Sequence, residues 1–201
     1  MRVLVTGATG FAGSHLARAL ASRGDQVRAF QREGARQLDP GGPGVPGADI
    51  AIGDLRDPES LRRAVQGIDV VYHIAAIYRQ AGLSPEVYRA VNATAVGQLV
   101  EAAAAAGARR VVHCSTVGVH GDIEHPPANE DAPLRPGDIY QETKLEGERL
   151  ARDAGTRLGI DVTIVRPSGI YGPGDRRLLK LFRGVARRRW ITLVAERCAS
   201  S

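Results

Sequence analysis

Residues 1–20 read MRVLVTGATGFAGSHLARAL, and the turn inside them, TGATGFAG at Thr6–Gly13, decides the fold. Arg2–Thr6 is a short β-branched run that reads as a buried strand. Ala12–Arg23 follows with apolar residues at helical spacing (Leu16, Ala19, Leu20) until Gly24 stops it. Gly7, Gly10 and Gly13 join the two with the spacing GxxGxxG rather than GxGxxG. The demands on the glycines are the same: a sharp turn off the strand, close approach of backbone to phosphate, and close packing of helix on sheet. The helix start offers free N–H groups and the positive end of its dipole to a pyrophosphate. The alternative is a glycine-rich turn without a ligand. A clear strand before it and a clear helix after it weigh against that.

Strand and helix signals alternate along the rest of the chain. Strands are expected at Gln26–Phe30, Asp49–Gly53, Asp69–His73, Arg109–Cys114 and Asp161–Arg166. Helices are expected at Pro58–Val65, at Pro85–Ala106 ended by Gly107, at Asp138–Leu158 ended by Gly159, and at the basic segment Arg176–Arg189. Asp39–Gly47 (DPGGPGVPG) is too rich in Pro and Gly for a regular element and reads as a loop. Such alternation implies an α/β fold, a doubly wound parallel sheet covered on both faces, with ligand loops at the carboxyl ends of the strands.

Composition narrows the function classes. The 201 residues suffice for one domain with a buried core. The net charge of +5 is local, from Arg176, Arg177, Lys180, Arg183, Arg187, Arg188 and Arg189, and reads as a solvated helix face rather than a nucleic-acid surface. Cys114 and Cys198 give neither a disulfide framework nor metal spacing, which points to a reducing cytoplasm. His73, His113, His120 and His125 are scattered, so no metal site is expected. The opening MRVLVTG is too short for a signal peptide, and no segment is long enough to span a membrane.

Two further groups carry chemistry. The second strand ends in Phe30-Gln31-Arg32 with no carboxylate before Glu33. Arg32 can pair with a ribose 2′-phosphate, which tips the expectation to NADP(H) over NAD(H); a surface arginine on a loop is the alternative. Asp54 in GDLRD is placed to accept from an adenine amino group, or else to cap the following helix. Tyr140 and Lys144 stand four apart on one helix and so share a face. A phenol ionises near pH 10, and a nearby ammonium with the nicotinamide charge can bring it towards neutrality so that it moves a proton. Thr116 or Ser115, at the end of the fifth strand, can give a second donor to the same substrate oxygen.

The set TGATGFAGSHL, GDLRD, HIAA, CSTVGVHG, YQETK and RPSGIYGPGD resembles the extended short-chain dehydrogenase/reductase superfamily, in its NAD-dependent epimerase/dehydratase branch, from Met1 to about Trp190. The resemblance implies a Rossmann domain that binds NAD(P). In it Tyr140 is the acid/base, Lys144 holds the nicotinamide ribose and lowers the tyrosine pKa, and Thr116 is the catalytic hydroxyl with Ser115 its neighbour. It also implies a cofactor surface made of Gly7, Thr9, Gly10, Phe11, Ala12 and Gly13, of Arg32, Asp54 and Leu55, of Ala75 and Ala76, of Asn92 and Lys144, and of Pro167 and Ile170.

The chain departs from that pattern at Asn92-Ala93-Thr94-Ala95-Val96, where the family's helix reads NVxGT, and at His120, where a tyrosine is usual. Family members continue into a smaller C-terminal substrate domain. Here residues 1–190 read as the Rossmann domain, Ile191–Val194 begins a strand, and the end AERCASS matches nothing, so the chain is expected to be truncated or frameshifted. Two function classes stay open. One is an oxidoreductase or epimerase/dehydratase acting on a hydroxyl or carbonyl of a small molecule such as a nucleotide sugar. The other is a cofactor-binding protein without turnover, a sensor or an inactive remnant. By analogy with the family, the helices Pro85–Ala106 and Asp138–Leu158 are expected to form a four-helix homodimer contact.

Overall fold

Six parallel strands in the order β3-β2-β1-β4-β5-β6 form the sheet of a computed structural model, which describes residues 1–34, 45, 47–124, 126–175 and 179–187. The strands are β1 (Arg2–Thr6), β2 (Gln26–Gln31), β3 (Asp49–Ile52), β4 (Val70–His73), β5 (Arg110–Cys114) and β6 (Asp161–Val165). This is the Rossmann order, in which the chain leaves β1 in one direction for β2 and β3 and then returns to the other side for β4. The described part of the chain thus has the expected doubly wound architecture. It divides into two units, residues 1–168, which hold the whole sheet, and residues 169–201, whose described helix is α6 (Leu179–Ala186). Most of the loop expected at Asp39–Gly47 lies outside the described residues. So do His125, Cys198, the strand expected at Ile191–Val194 and the ends of the basic segment (176–178 and 188–189).

Successive strand residues point to opposite faces, and each face has its own core. Val3, Val5, Val27, Ala29 and Val70 pack under α1 (Phe11–Ser22) through Ala17 and Leu20. Leu4, Phe30, Val71 and Val111 pack under α2 (Pro58–Ala64), α4 (Ala95–Ala105) and α5 (Ile139–Leu158) through Leu61, Val96, Leu99, Ala151 and Ala154. Helix α5 starts where Asp138 accepts the Gln141 N–H at 2.8 Å, and it ends at Gly159, whose left-handed φ of +68° suits a residue without Cβ.

The expected single helix Pro85–Ala106 is three segments: α3 (Pro85–Arg89), a π-type turn at Ala90–Thr94, then α4. Asn92 accounts for the interruption. Its side-chain carbonyl accepts from Ile77 N at 2.9 Å, and its amide donates to Ile77 O at 3.0 Å and to Thr143 Oγ1 at 3.3 Å. On α5, Gly147 lies against the Asn92 backbone carbonyl so closely that a Cβ there would overlap it. A widened turn with a buried amide at its centre leaves no mark in apolar periodicity. No described helix is long and apolar enough to cross a membrane.

Candidate active site

The glycine turn is built by overlap avoidance. Gly7 has φ +71°, the left-handed region, and a Cβ on it would press 2.8 Å from Ala75 N. A Cβ on Gly13 would collide with the Gly7 carbonyl oxygen. Gly10 N donates to Gly7 O at 2.9 Å, closing the turn, and Gly10 then stands as the extended residue before α1. Thr9 and Gly10 are exposed, Phe11 and Ala12 half-buried, and Gly13 buried. The first turn of α1 carries no acidic residue, which leaves the positive end of its dipole unopposed from within the helix. These residues fit a dinucleotide pyrophosphate. Gly13→Ala is therefore expected to destabilise the chain by about 3 kcal/mol, the upper range for overpacking, because backbone must move. Thermal melting with a cofactor-binding titration checks it, and an unchanged melt with full binding would contradict the tight turn.

Ala75 and Ala76 lie beside the turn. Thr6 Oγ1 accepts from Ile74 N and Ala75 N, each at 3.2 Å, so Ala75 is held against Gly7 and Ala76 follows exposed. At the end of β2, Arg32 is exposed, and its charge helps to hold down the Asp54 carboxyl. The main cause there is Arg56. Its side chain donates to both Asp54 oxygens (3.0 and 2.7 Å) and its backbone N–H to Oδ1 (2.8 Å), and the Asp54 pKa falls to about 2. Asp54 is not a helix cap, since Asp57 caps α2 by accepting from Glu59 N at 3.0 Å. Leu55 is buried next to it.

Helix α5 brings Tyr140 and Lys144 to the carboxyl ends of β4 and β5. Lys144 is 1% exposed, and its Nζ donates to the Cys114 carbonyl at 2.6 Å and to His113 Nε2 at 3.4 Å. Burial lowers its pKa to about 8 against the opposing pull of Cys114 and Glu148. Tyr140 is half-buried, with the exposed Tyr78 ring edge-on at 4.9 Å. The expected fall of the Tyr140 pKa is not what this structure holds. Burial, foremost, with Cys114, Tyr78 and Asp138 pushes the phenol up to about 12, over the smaller opposing effect of Arg79. The physical reason is that burial outweighs the Arg79 cation, while the Lys144 ammonium donates to the β5 backbone.

The two candidate hydroxyls separate. Thr116 Oγ1 accepts from Gly118 N at 3.1 Å and caps the 3₁₀ turn Val117–His120. Ser115 is buried, and its Oγ meets no hydrogen-bond geometry, although it lies close enough to Glu148 to help to lower that carboxyl. Pro167 is brought alongside, its carbonyl accepting from Val117 N at 3.1 Å. Asn92 is buried, with its amide engaged at Ile77 and Thr143. Ile170 belongs to the second unit.

Sequence reasoning missed two groupings. His73 and His113, read as scattered, are register partners on β4 and β5, and their rings stack at 5.3 Å. Glu148 and Arg166 form a doubly bonded pair (2.9 and 2.6 Å), and Arg166 Nη1 also reaches His120 Nε2 and the Glu130 carbonyl, each at 3.1 Å. For the histidines the signal existed: His73 closes one expected strand and His113 is next to last in another, and a parallel register puts strand ends side by side. For Arg166 nothing local pointed inward. No group of three or more metal-ligating side chains occurs among the described residues.

Against known proteins, residues 3–196 match the pattern of the NAD dependent epimerase/dehydratase family. A protein named sterol demethylase protein B from Methylococcus capsulatus is 41% identical over 181 residues, covering 88% of this chain and 54% of that protein. A 3 beta-hydroxysteroid dehydrogenase/Delta 5-->4-isomerase from Mycobacterium tuberculosis is 36% identical over 208 residues, covering 98% and 55% respectively. Among solved structures, the dTDP-glucose 4,6-dehydratase DesIV of Streptomyces venezuelae, with NAD and TYD bound, superimposes with a TM-score of 0.79. It is 31% identical, covering 94% of this chain and 63% of that one. The chain thus spans about half the length of the curated relatives that it matches.

Proposed function

The chain belongs to the NAD-dependent epimerase/dehydratase family, and on that premise we propose that it oxidises or reduces a hydroxyl or carbonyl of a small molecule with NAD(P). Tyr140 is the acid/base. One observation carries this reading: the loop that begins at Ala75, bonded to Thr6 beside the glycine turn, also holds Tyr78 against Tyr140. The glycine turn and the phenol thereby share the carboxyl ends of the central strands.

When bound, the dinucleotide supplies the hydride acceptor or donor; the chain's own residues do the rest. A phenol held near 12 stays protonated across the physiological range, so Tyr140 stands as a proton donor to a carbonyl oxygen that is being reduced. In the reverse direction it must lose its proton, and bringing it to neutrality takes about 7 kcal/mol. A cationic neighbour at the substrate oxygen is the means. Lys144 orients the cofactor ribose, and Thr116 Oγ1 gives the second hydrogen bond to the substrate oxygen. For the substrate, the two steroid-related relatives favour a ring alcohol or ketone of steroid type over a nucleotide sugar, and the exposed Tyr78 face beside Tyr140 offers a flat apolar contact. The test is a panel of hydroxysteroids, keto-steroids and sugar nucleotides with NAD(H) and NADP(H). Turnover on sugar nucleotides alone would overturn the substrate class.

NADP(H) remains the proposed cofactor. Arg32→Ala is expected to weaken NADPH binding about tenfold, the loss of one charge-assisted contact, and to leave NADH within about twofold. Nucleotide fluorescence reads both, and equal affinities for NADPH before and after would remove the arginine from this role. A second reading, cofactor binding without turnover, is favoured by one observation: Lys144 is bonded to Cys114 O and the phenol stays high. Binding in the fluorescence titration with no turnover on the panel would select it. A homodimer through α4 and α5 is also proposed, and sedimentation at micromolar concentration tests it.

A further inference from the structure

We propose that His113 is a positioning residue for Lys144: its Nε2 accepts one ammonium hydrogen while the Cys114 carbonyl accepts a second, leaving a single N–H of the buried cation unassigned. The inference rests on the role given to Lys144 above. It concerns how that cation is held.

The geometry begins at the glycine turn. Thr6, His73 and His113 are register partners on β1, β4 and β5, so their side chains leave one face of the sheet in a row. That is the face covered by α5, from which Lys144 comes. Thr6 Oγ1 already accepts two N–H groups, so its own hydrogen goes to His73 Nδ1 at 2.7 Å. His73 is then the Nε2–H tautomer and neutral. Its ring lies against His113 at 5.3 Å with 20° between the planes. The ammonium can only donate, so His113 Nε2 at 3.4 Å must accept, and His113 carries its hydrogen on Nδ1. His73 Nε2 and His113 Nδ1 are both buried without partners among the described residues. An imidazole pair that tolerates two orphaned nitrogens is not there for its own stability.

Charge agrees with this assignment. Burial, then the Lys144 cation, lowers His73 to about 3 and His113 well below its ordinary value, so both rings stay neutral acceptors or donors at working pH. The titratable groups around Lys144 are His113 and Cys114 on β5, His73 on β4, and Tyr140 and Glu148 on α5; Glu148 is neutralised by Arg166. Among the described residues, His113 and the Cys114 carbonyl take hydrogens from the ammonium. Composition adds an independent sign. Of 27 lysines and arginines, only Lys144 and Lys180 are lysines. In a chain that otherwise uses arginine, which stays charged, the buried cation is the kind whose proton affinity its surroundings can tune.

That scarcity makes the test direct. The full chain is labelled at lysine Cε, the Lys144 signal is assigned with Lys180→Arg, and the pH is taken from 6 to 11. In the parent chain the Lys144 midpoint is expected at about 8. His113→Phe is expected to lower it by about one pH unit, a tenfold loss of proton affinity, and His113→Gln, which keeps an acceptor, to restore most of it. A residue that merely fills space would leave both midpoints unchanged, and that result overturns the proposal. Should the Phe variant fail to fold, the imidazole nitrogens of the unsubstituted chain decide. Nδ1-protonated His113 supports the assignment, and a hydrogen on Nε2 refutes it. Neither readout uses cofactor or turnover, so an inactive chain with the shifted midpoint would sink the proposed function alone.

Discussion

Tyr140→Phe is expected to lower turnover about a thousandfold, the range for losing a positioned acid/base, while cofactor affinity stays within a few fold. The substitution removes one oxygen from a half-buried ring whose edge-on contact with Tyr78 is made by carbon. Packing therefore persists, and so does the N-terminus of α5, which Asp138 caps through Gln141 N. What goes is the hydrogen that the proposed function assigns to the carbonyl oxygen. The measurement is kcat with the best member of the substrate panel, beside a fluorescence titration of the nucleotide. A Phe variant at full rate would remove proton transfer from this side chain. Lost binding would instead place Tyr140 in the cofactor site.

The second large effect is on stability. Arg166→Met is expected to destabilise the protein by about 4 kcal/mol, because a buried carboxylate loses its doubly bonded partner and keeps the exposed Arg152 at 4.0 Å. Glu148 is 1% exposed and its pair is doubly bonded, with Arg166 at 10%. The same guanidinium gives a hydrogen to His120 Nε2, and His120 Nδ1 in turn lies 3.1 Å from Ala132 O. One substitution therefore loosens the joint between β6, α5 and the loop before α5. At this chain length the melting midpoint should fall by about 10 °C. The pH dependence has a definite sign. Burial pushes the Glu148 pKa up, but Arg166 outweighs it and the folded value lies below the usual carboxylate. The pair's stabilisation is thus present above the unfolded pKa of about 4.3 and is lost as pH falls through the folded value. The gap between parent and Arg166→Met should narrow in acid. A gap that widens there, or a melt within 2 °C of the parent at pH 7, would show the pair to be dispensable.

How much of this was legible in the sequence differs by element. The strands and the glycine turn are set by local pattern, and their edges moved by a residue or so: Arg109–Cys114 became Arg110–Cys114, and Asp138 became a cap rather than the first residue of α5. The π-type turn was not legible, since Asn92 is called inward by Ile77, which lies 15 residues away. Tyr140 and Lys144 were legible as an i, i+4 pair, but the direction of the phenol's shift was not. That sign is set first by how far the ring is buried, which depends on neighbours far away in sequence such as Tyr78 and Cys114. The Asp54 alternative resolved for a local reason, because Asp57 sits one residue before Pro58 and takes the cap.

The central claim is that the carboxyl ends of the central strands hold a nucleotide at the glycine turn and a proton donor on α5. A crystal structure of the chain with NADP tests it most directly. The account predicts the pyrophosphate on the backbone amides of residues 10–13 and the nicotinamide ribose within hydrogen-bond reach of Lys144, with the Tyr140 oxygen over the same crevice. A nucleotide bound elsewhere, or a Tyr140 oxygen turned to bulk solvent away from it, would contradict the account.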